Sequence, residues 1–181
     1  MIKSLCLAIL VILPCAASAL TVDQAYAAIP HQRTPFNTDA SRLSRGQAEA
    51  LQQLFELSDR GTVLRVDALQ GLQRADASHV RAVVRDYAAL LEALRQLRPT
   101  QQTRAATELV AQAVQQQQRF FETKLQAGNG GSRLDAVFTA DVHQSSQKLR
   151  QAYSLLMAAF PDETARNRQA FFDHLCALDF L

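Results

Sequence analysis

Cysteine, proline and glycine are scarce in this chain of 181 residues, which has three, five and six of them. Cys6 and Cys15 lie in an N-terminal segment that we expect to be removed. Cys176 then has no partner within the mature chain, so we expect no internal disulfide to stabilise the fold. The few prolines and glycines occur at isolated points, which predicts long helices between them.

Several motifs that carry chemistry are also missing from the sequence. There is no Cys-x-x-Cys-His for attached haem, and no Glu is followed three residues later by His, as a di-iron bundle requires. The zinc motif His-Glu-x-x-His, the Gly-x-Ser-x-Gly elbow, the phosphate-binding loop and the dinucleotide fingerprint are absent too. We therefore expect no catalytic residue set, and neither a metal ion nor another cofactor.

Charge of either sign and long apolar runs are limited as well. The chain has 19 Lys and Arg against 17 Asp and Glu, a balance that predicts no nucleic-acid partner. The apolar run from Leu5 to Leu13 is shorter than the roughly 20 residues that cross a membrane. We therefore expect no membrane span in a soluble mature protein.

Residues 1–19 have the pattern of a secretory signal peptide. Lys3 makes the start positive, an apolar run follows, and Ala17-Ser18-Ala19 places small residues before the expected cut. A lipid anchor on Cys15 is the alternative, disfavoured because Pro14 stands where a small residue is expected. The sequence thus predicts a periplasmic or secreted protein.

Apolar residues at helical spacing predict an all-α fold with one domain over residues 20–181. An N-terminal part, 20–41, precedes a helical part, 42–181. The latter is an up-down bundle of four long amphipathic helices plus a shorter C-terminal helix packed across or extending it. The expected long helices cover about 42–74, with a kink or break considered at Gly61, then 79–98, 101–127 and 134–160. The run of glutamines at 115–118 is interpreted as solvated helix surface.

The N-terminal part differs from the bundle because it contains two prolines, Pro30 and Pro35. Thr21 and Gln24 fit a capping box, which predicts a short helix over about 22–28 that ends before Pro30. An irregular, extended stretch follows. Tyr26, Ile29 and Phe36 are the expected anchors of this N-terminal part to the bundle.

Candidate ligand-binding residues lie in this stretch. His31, Arg33 and Thr34 stand between the two prolines, which stiffen the chain and position side chains well. Arg33 suits a carboxylate or phosphate. The alternative is structural, with the segment covering the bundle and its polar groups bonding to helix ends.

Charged residues beside the apolar stripes form a second candidate site. Asp59 and Arg65 flank the stripe of the first long helix, and Asp86 flanks that of the second. A buried cluster of the three would fix the register of these helices or line a polar pocket. The alternative is that all three lie on solvated helix flanks.

Histidine gives a further hypothesis, because bundle interiors can hold haem or metal ions. Two of His31, His79, His143 and His174 would supply the ligands, although a boundary or surface position is the simpler interpretation of each.

The function predicted from these patterns is that of an exported, non-enzymatic protein that binds another exported protein or a small ligand through residues 26–36. A non-covalent haem- or metal-binding bundle is the first alternative, and an enzyme with a site near His31 is the second. A homodimer is a further option, since a long apolar stripe can leave area for a second copy and Cys176 could link the two.

Overall fold

The computed structural model describes residues 20–127 and 140–180, and the regular structure within those ranges is helical. The predicted all-α class is therefore confirmed. One short helix precedes four long helices and a shorter one. In chain order these are α1 (Val22–Ala27), α2 (Arg45–Gln73), α3 (Ala77–Gln96), α4 (Arg104–Gln126), α5 (Ala140–Ala159) and α6 (Ala165–Leu178). The predicted signal peptide, the glycine-rich stretch 128–131 and the predicted start of a helix at 134 lie outside the described residues.

The first helices begin at the caps that the sequence indicates. Thr21 and Ser44 each form a complete capping box, in which the third helical residue, Gln24 or Gln47, accepts the backbone N–H of the cap residue. The helix α2 then continues through Gly61 without a break, so the expected weak point does not interrupt it.

The helices α2 to α5 run up and down. Gly61 of α2 lies close to Leu90 of α3, and Gly71 lies close to Val80. Because the residue numbers rise along α2 while those of their neighbours fall along α3, the two helices are antiparallel. The same holds for α4 and α5, where Gln116 donates to Gln144 and Lys148 donates to Gln112.

The last helix, α6, packs against both α5 and α2 and completes a five-helix arrangement. It runs parallel to α2, because Phe55 contacts Phe171 and Arg65 contacts Ala177 further along both helices. A Cβ on Gly61 would lie 2.7 Å from a methyl carbon of Leu178. The missing side chain therefore lets the end of α6 approach α2.

The end of α6 is held inside the bundle by polar side chains. The Gln117 amide donates to the carbonyl oxygen of Leu178 at 2.7 Å and accepts from the Tyr87 hydroxyl at 3.3 Å, while Arg65 donates to the carbonyl oxygen of Ala177 at 2.9 Å. We call Arg65, Tyr87, Gln117 and these two carbonyls the C-terminal layer. Gln117 is fully buried, so this part of the glutamine run is not solvated surface as expected.

Residues 20–43, which we call the N-terminal strap, lie along α2 and α6. Phe36 inserts between aromatic rings, with centroids 5.6 Å from Phe55 and 6.1 Å from Phe171. The next residue, Asn37, exchanges two hydrogen bonds of 2.9 Å with the Asn167 side chain. Of the three expected anchors, Tyr26 and Phe36 are buried and Ile29 is half-buried.

The C-terminal end of the strap is held by the carboxylate of Glu163, just before α6. This carboxylate accepts from the Ser41 hydroxyl and from the backbone N–H of Arg42. Burial by itself would raise the pKa of Glu163, but hydrogen bonds, that of Ser41 first, hold it below its usual value. Within the described ranges, no helix has the length and apolar character needed to cross a membrane.

Candidate functional site

A single buried carboxylate, that of Asp59 in α2, joins the strap, α2 and α6. Its Oδ1 accepts from the Tyr26 hydroxyl at 2.8 Å and lies 2.6 Å from Nδ1 of His174. Its Oδ2 accepts from Nε of Arg33 at 2.9 Å and from Nη2 of the same guanidinium at 2.8 Å. We call these four residues the Asp59 cluster. Hydrogen bonds of this charge-assisted kind are about twice as strong as neutral ones.

The electrostatics of the cluster favour an ionised Asp59. Burial, which leaves only 2 % of the residue exposed, would by itself raise the pKa of the carboxyl group. The hydrogen bond and charge of His174, followed by the bonds from Tyr26 and Arg33, outweigh burial and hold that pKa below its usual value. The cluster therefore contains a stable buried anion.

His174 is oriented by this anion and by an aromatic ring. Its imidazole stacks on Phe55, with centroids 4.9 Å apart and planes 9° from parallel, and only 3 % of the residue is exposed. Because Nδ1 faces the ionised carboxylate, Nδ1 carries a proton and donates the hydrogen bond to Oδ1 of Asp59. The other nitrogen, Nε2, is buried and has no hydrogen-bond partner in the described part of the chain. A carboxylate-held imidazole is one element of general-base catalysis, which also needs a group within reach of Nε2.

Arg33 is fixed in the strap by its two bonds to Asp59. Burial lowers the pKa of the guanidinium, but the hydrogen bond and charge of Asp59 overcome this and raise it above its usual value. The side chain nevertheless remains 36 % exposed. The carboxylate that the sequence predicted for Arg33 is thus supplied from within the molecule.

Tyr26 completes the cluster from the α1 end of the strap. Burial, and then the charge and hydrogen bond of Asp59, raise the pKa of its hydroxyl far above the usual value, so it acts as a permanent donor. The charge of Asp173 acts in the same direction, which places a second buried carboxylate near the cluster. Asp173 accepts from Gln169, and its Oδ2 is a further buried atom that lacks a hydrogen-bond partner among the described residues.

The other two candidates in the strap, His31 and Thr34, are half-buried on either side of residues 32 and 33. Gln32 between them is exposed, as are Pro30 and Pro35. The segment between the two buried anchors therefore presents a mixed polar surface on a fixed backbone.

The predicted cluster of Asp59, Arg65 and Asp86 does not form. Asp59 and Arg65 are both buried but bind different groups, while Asp86 is exposed on α3. A physical reason is the helical repeat, since six residues at 3.6 per turn place Asp59 and Arg65 about 120° apart around α2. Arg65 therefore faces the end of α6, and Asp59 faces the strap.

The four histidines belong to four different parts of the structure. His79 pairs with Asp67 at 2.8 Å, His174 belongs to the Asp59 cluster, His143 is exposed on α5 and His31 lies in the strap. Across residues 20–127 and 140–180 there is no group of three or more His, Cys, Asp or Glu side chains that could hold a metal ion.

An open groove of about 550 Å³ lies between α2 and α3, away from the cluster. Its lining is partly apolar and partly acidic, and no strap residue contributes to it. The lining residues include Glu49, Gln53, Glu56, Leu57, Ala93 and Leu97.

Sequence reasoning missed Glu163 and Asn167, which bind the strap, and the pairing of His174 with Asp59. Each of these residues lies more than 100 residues from the group it binds, so no local spacing signalled the contact.

The fold and the Asp59 cluster together define a five-helix bundle with an N-terminal strap held by a buried carboxylate. No known protein family, no curated protein and no solved structure matches this chain.

Proposed function

We propose that this chain is an exported, non-enzymatic binding protein, and that its strap contacts another exported protein or a small ligand. The observation that carries the proposal is the way residues 27–35 are held. Tyr26 and Phe36 are buried at the two ends of this segment, and Arg33 is bound to Asp59 in its middle. The exposed face of the segment is therefore ordered before any partner arrives.

Preorganisation of this kind supports binding for a physical reason. Ordering a loop on association costs free energy, and a loop that is already fixed avoids that cost. Loops held by a rigid scaffold are also where binding residues are concentrated. His31, Gln32 and Thr34 supply hydrogen-bonding groups on this surface.

Site-specific crosslinking in the native host tests this proposal. A photo-reactive residue replaces Gln32 in the strap or, as a matched control, the exposed Gln151 on α5. We expect a discrete adduct from position 32 that position 151 does not give, analysed by mass spectrometry for both protein and small-molecule adducts. Equal labelling at the two positions would contradict the proposal.

Substitutions must avoid Arg33, because its loss would also disturb the attachment of the strap. The double change His31→Ala and Thr34→Ala leaves the Asp59 cluster intact and is expected to reduce the adduct at Gln32. The pair Gln101→Ala and Gln102→Ala, exposed between α3 and α4, is the control and should leave it unchanged.

Export is the second part of the proposal and has its own test. Cleavage after Ala19 would give an exported protein that starts at Leu20, which intact mass and N-terminal sequencing detect. Recovery of the full-length chain inside the cell would contradict it.

A further inference from the structure

Two carboxylates fasten the strap to the helices. Glu163 holds residues 41 and 42 at its C-terminal end, whereas Asp59 holds Tyr26 and Arg33 in its central part. Asp59 lies on α2, and its carboxylate therefore binds the strap at two points that are seven residues apart, Tyr26 and Arg33.

We propose that the Asp59 cluster is a releasable latch, and that loss of the Asp59 charge detaches residues 20–36 while α2 to α6 remain folded. Detachment of the strap would change partner binding only if the strap is the binding surface, so this consequence rests on the proposed function. Detachment itself does not depend on a partner.

The partners of Asp59 in the strap and on α6 differ in their exposure to solvent, which explains why the strap would be the part that moves. Tyr26 and Arg33 face the carboxylate from the strap, and His174 and Asp173 lie near it on α6. Without the charge, the Arg33 cation loses the anion that binds it. Arg33 is already 36 % exposed and regains water by leaving, whereas His174 is enclosed within the bundle.

The helices have contacts that do not involve the strap, which is why they would stay together. Phe121 packs against Phe120 and Tyr87 with ring centroids 5.0 Å and 5.8 Å apart. The C-terminal layer holds α6 through Gln117 and Arg65. Release would uncover the aromatic surface of Phe55 and Phe171 that Phe36 now covers.

Acid should release the latch, because the pKa of Asp59 is lower in the folded protein than in the unfolded chain. The stabilisation is fully present above the unfolded value of about 3.9 and is lost as the pH falls through the lower folded value. The pKa of Glu163 is shifted in the same direction, so the second attachment of the strap weakens in acid as well.

Single-tryptophan reporters can separate the strap from the bundle, since the chain contains no tryptophan. Phe36→Trp reports burial of the strap and Phe121→Trp reports burial in the bundle. Each is combined with Asp59→Asn, which removes the charge and keeps the size, or with Asp23→Asn, an exposed strap residue, as the control. Emission wavelength and helix content by circular dichroism are measured at pH 7.

With Asp59→Asn we expect a red-shifted strap reporter, an unchanged bundle reporter and retained helix content. The ratio of released to bound strap should rise roughly a hundredfold or more, as for other broken buried ion pairs. Asp23→Asn should leave both reporters unchanged. A strap reporter that stays buried with Asp59→Asn, or a simultaneous shift of both reporters, would overturn the latch.

A pH titration without the Asp59 substitution keeps the proposal testable if that variant folds poorly. The strap reporter should then shift at a higher pH than the bundle reporter and the helix signal, and coincident transitions would count against release. Ile29→Trp is the second strap reporter if tryptophan does not fit at position 36. The fluorescence experiment contains no partner, so it tests detachment of the strap alone. Detachment can therefore be refuted while crosslinking at Gln32 supports partner binding, and partner binding can be refuted while detachment is observed.

Discussion

The Asp59 cluster and the C-terminal layer each bury one charge, but the surroundings of the two charges differ. Asp59 accepts hydrogen bonds from three side chains, and its pKa is lowered, which favours the charged form. Burial is the main influence on Arg65 and lowers its pKa, which disfavours the charged form, although Tyr87 and then Asp179 oppose it. The Nε atom of Arg65 is buried without a hydrogen-bond partner in the described residues.

The different surroundings of Asp59 and Arg65 indicate which interactions stabilise each region. The attachment of the strap depends on an ion pair, so removing a charge should weaken it strongly. The C-terminal layer contains no ion pair among its own members. Gln117 donates a neutral bond to the Leu178 carbonyl, and the Arg65 guanidinium donates to the Ala177 carbonyl and lies 5.8 Å from the centroid of the Phe180 ring. Three substitutions test that contrast, from the largest expected effect to the smallest, and a fourth outside both regions gives a local backbone effect for comparison.

Asp59→Ala should have the largest effect, because it leaves Arg33 without its anion and His174 without its hydrogen-bond acceptor. We expect the free energy of unfolding to fall by about 3–5 kcal/mol, measured by urea denaturation. The exposed Asp86→Ala on α3 is the control and should change it by less than about 0.5 kcal/mol. Similar values for the two variants would remove the basis for the contrast.

Gln117→Leu tests the neutral bonds of the C-terminal layer. It leaves the Leu178 carbonyl and the Tyr87 hydroxyl buried without this partner, which should cost about 1–3 kcal/mol of unfolding free energy. The neighbouring Gln118→Leu is a matched control, since Gln118 is half-buried and is expected to tolerate the change. Thermal denaturation of both variants gives the comparison, and equal melting temperatures would refute the assigned role.

Arg65→Met removes the buried cation while keeping most of the side-chain volume. The change leaves the Ala177 carbonyl without this donor but also relieves the cost of burying a cation, so we expect the free energy of unfolding to fall by about 1 kcal/mol. A loss as large as that of Asp59→Ala would show that the two buried charges are equally important. Arg65→Ala, which leaves a cavity, should be worse than Arg65→Met.

Ala75→Gly lies outside both regions and measures a purely local backbone effect. Ala75 follows α2 with a φ of 56°, the left-handed conformation that glycine adopts more readily. The change should stabilise the protein by about 0.5–1 kcal/mol, detected as a higher denaturation midpoint. Ala77→Gly, inside the first turn of α3, should have the opposite sign, and stabilisation by both variants would argue against this explanation.

Much of the fold could be predicted because its signals are local. The helix starts at Thr21 and Ser44 depend on a side chain and a backbone N–H three residues away, and both capping boxes are present. Burial of Tyr26 and Phe36 follows from the cost of exposing large aromatic rings. The sequence also indicated that Asp59, Arg65 and Arg33 are unusual, but it assigned the wrong partners to Asp59 and Arg65.

The candidate site required the three-dimensional structure because its contacts are distant in sequence. Asp59 and His174 are 115 positions apart, and their meeting depends on α6 packing against both α5 and α2. Apolar periodicity shows which face of a helix is buried, but it does not show which neighbour covers that face. For the same reason the periodicity did not distinguish the buried Gln116 and Gln117 from the half-buried Gln115 and Gln118.

The sequence by itself determined the all-α class, the starts of α1 and α2, and the aromatic anchors of the strap, because each depends on residues within a few positions of one another. Only the tertiary structure decided that α6 lies parallel to α2, that Arg33 binds Asp59, and that Arg65 faces the end of α6. The physical reason is that a buried charge takes the donors or acceptors that packing brings to it. Packing is a property of all the helices together.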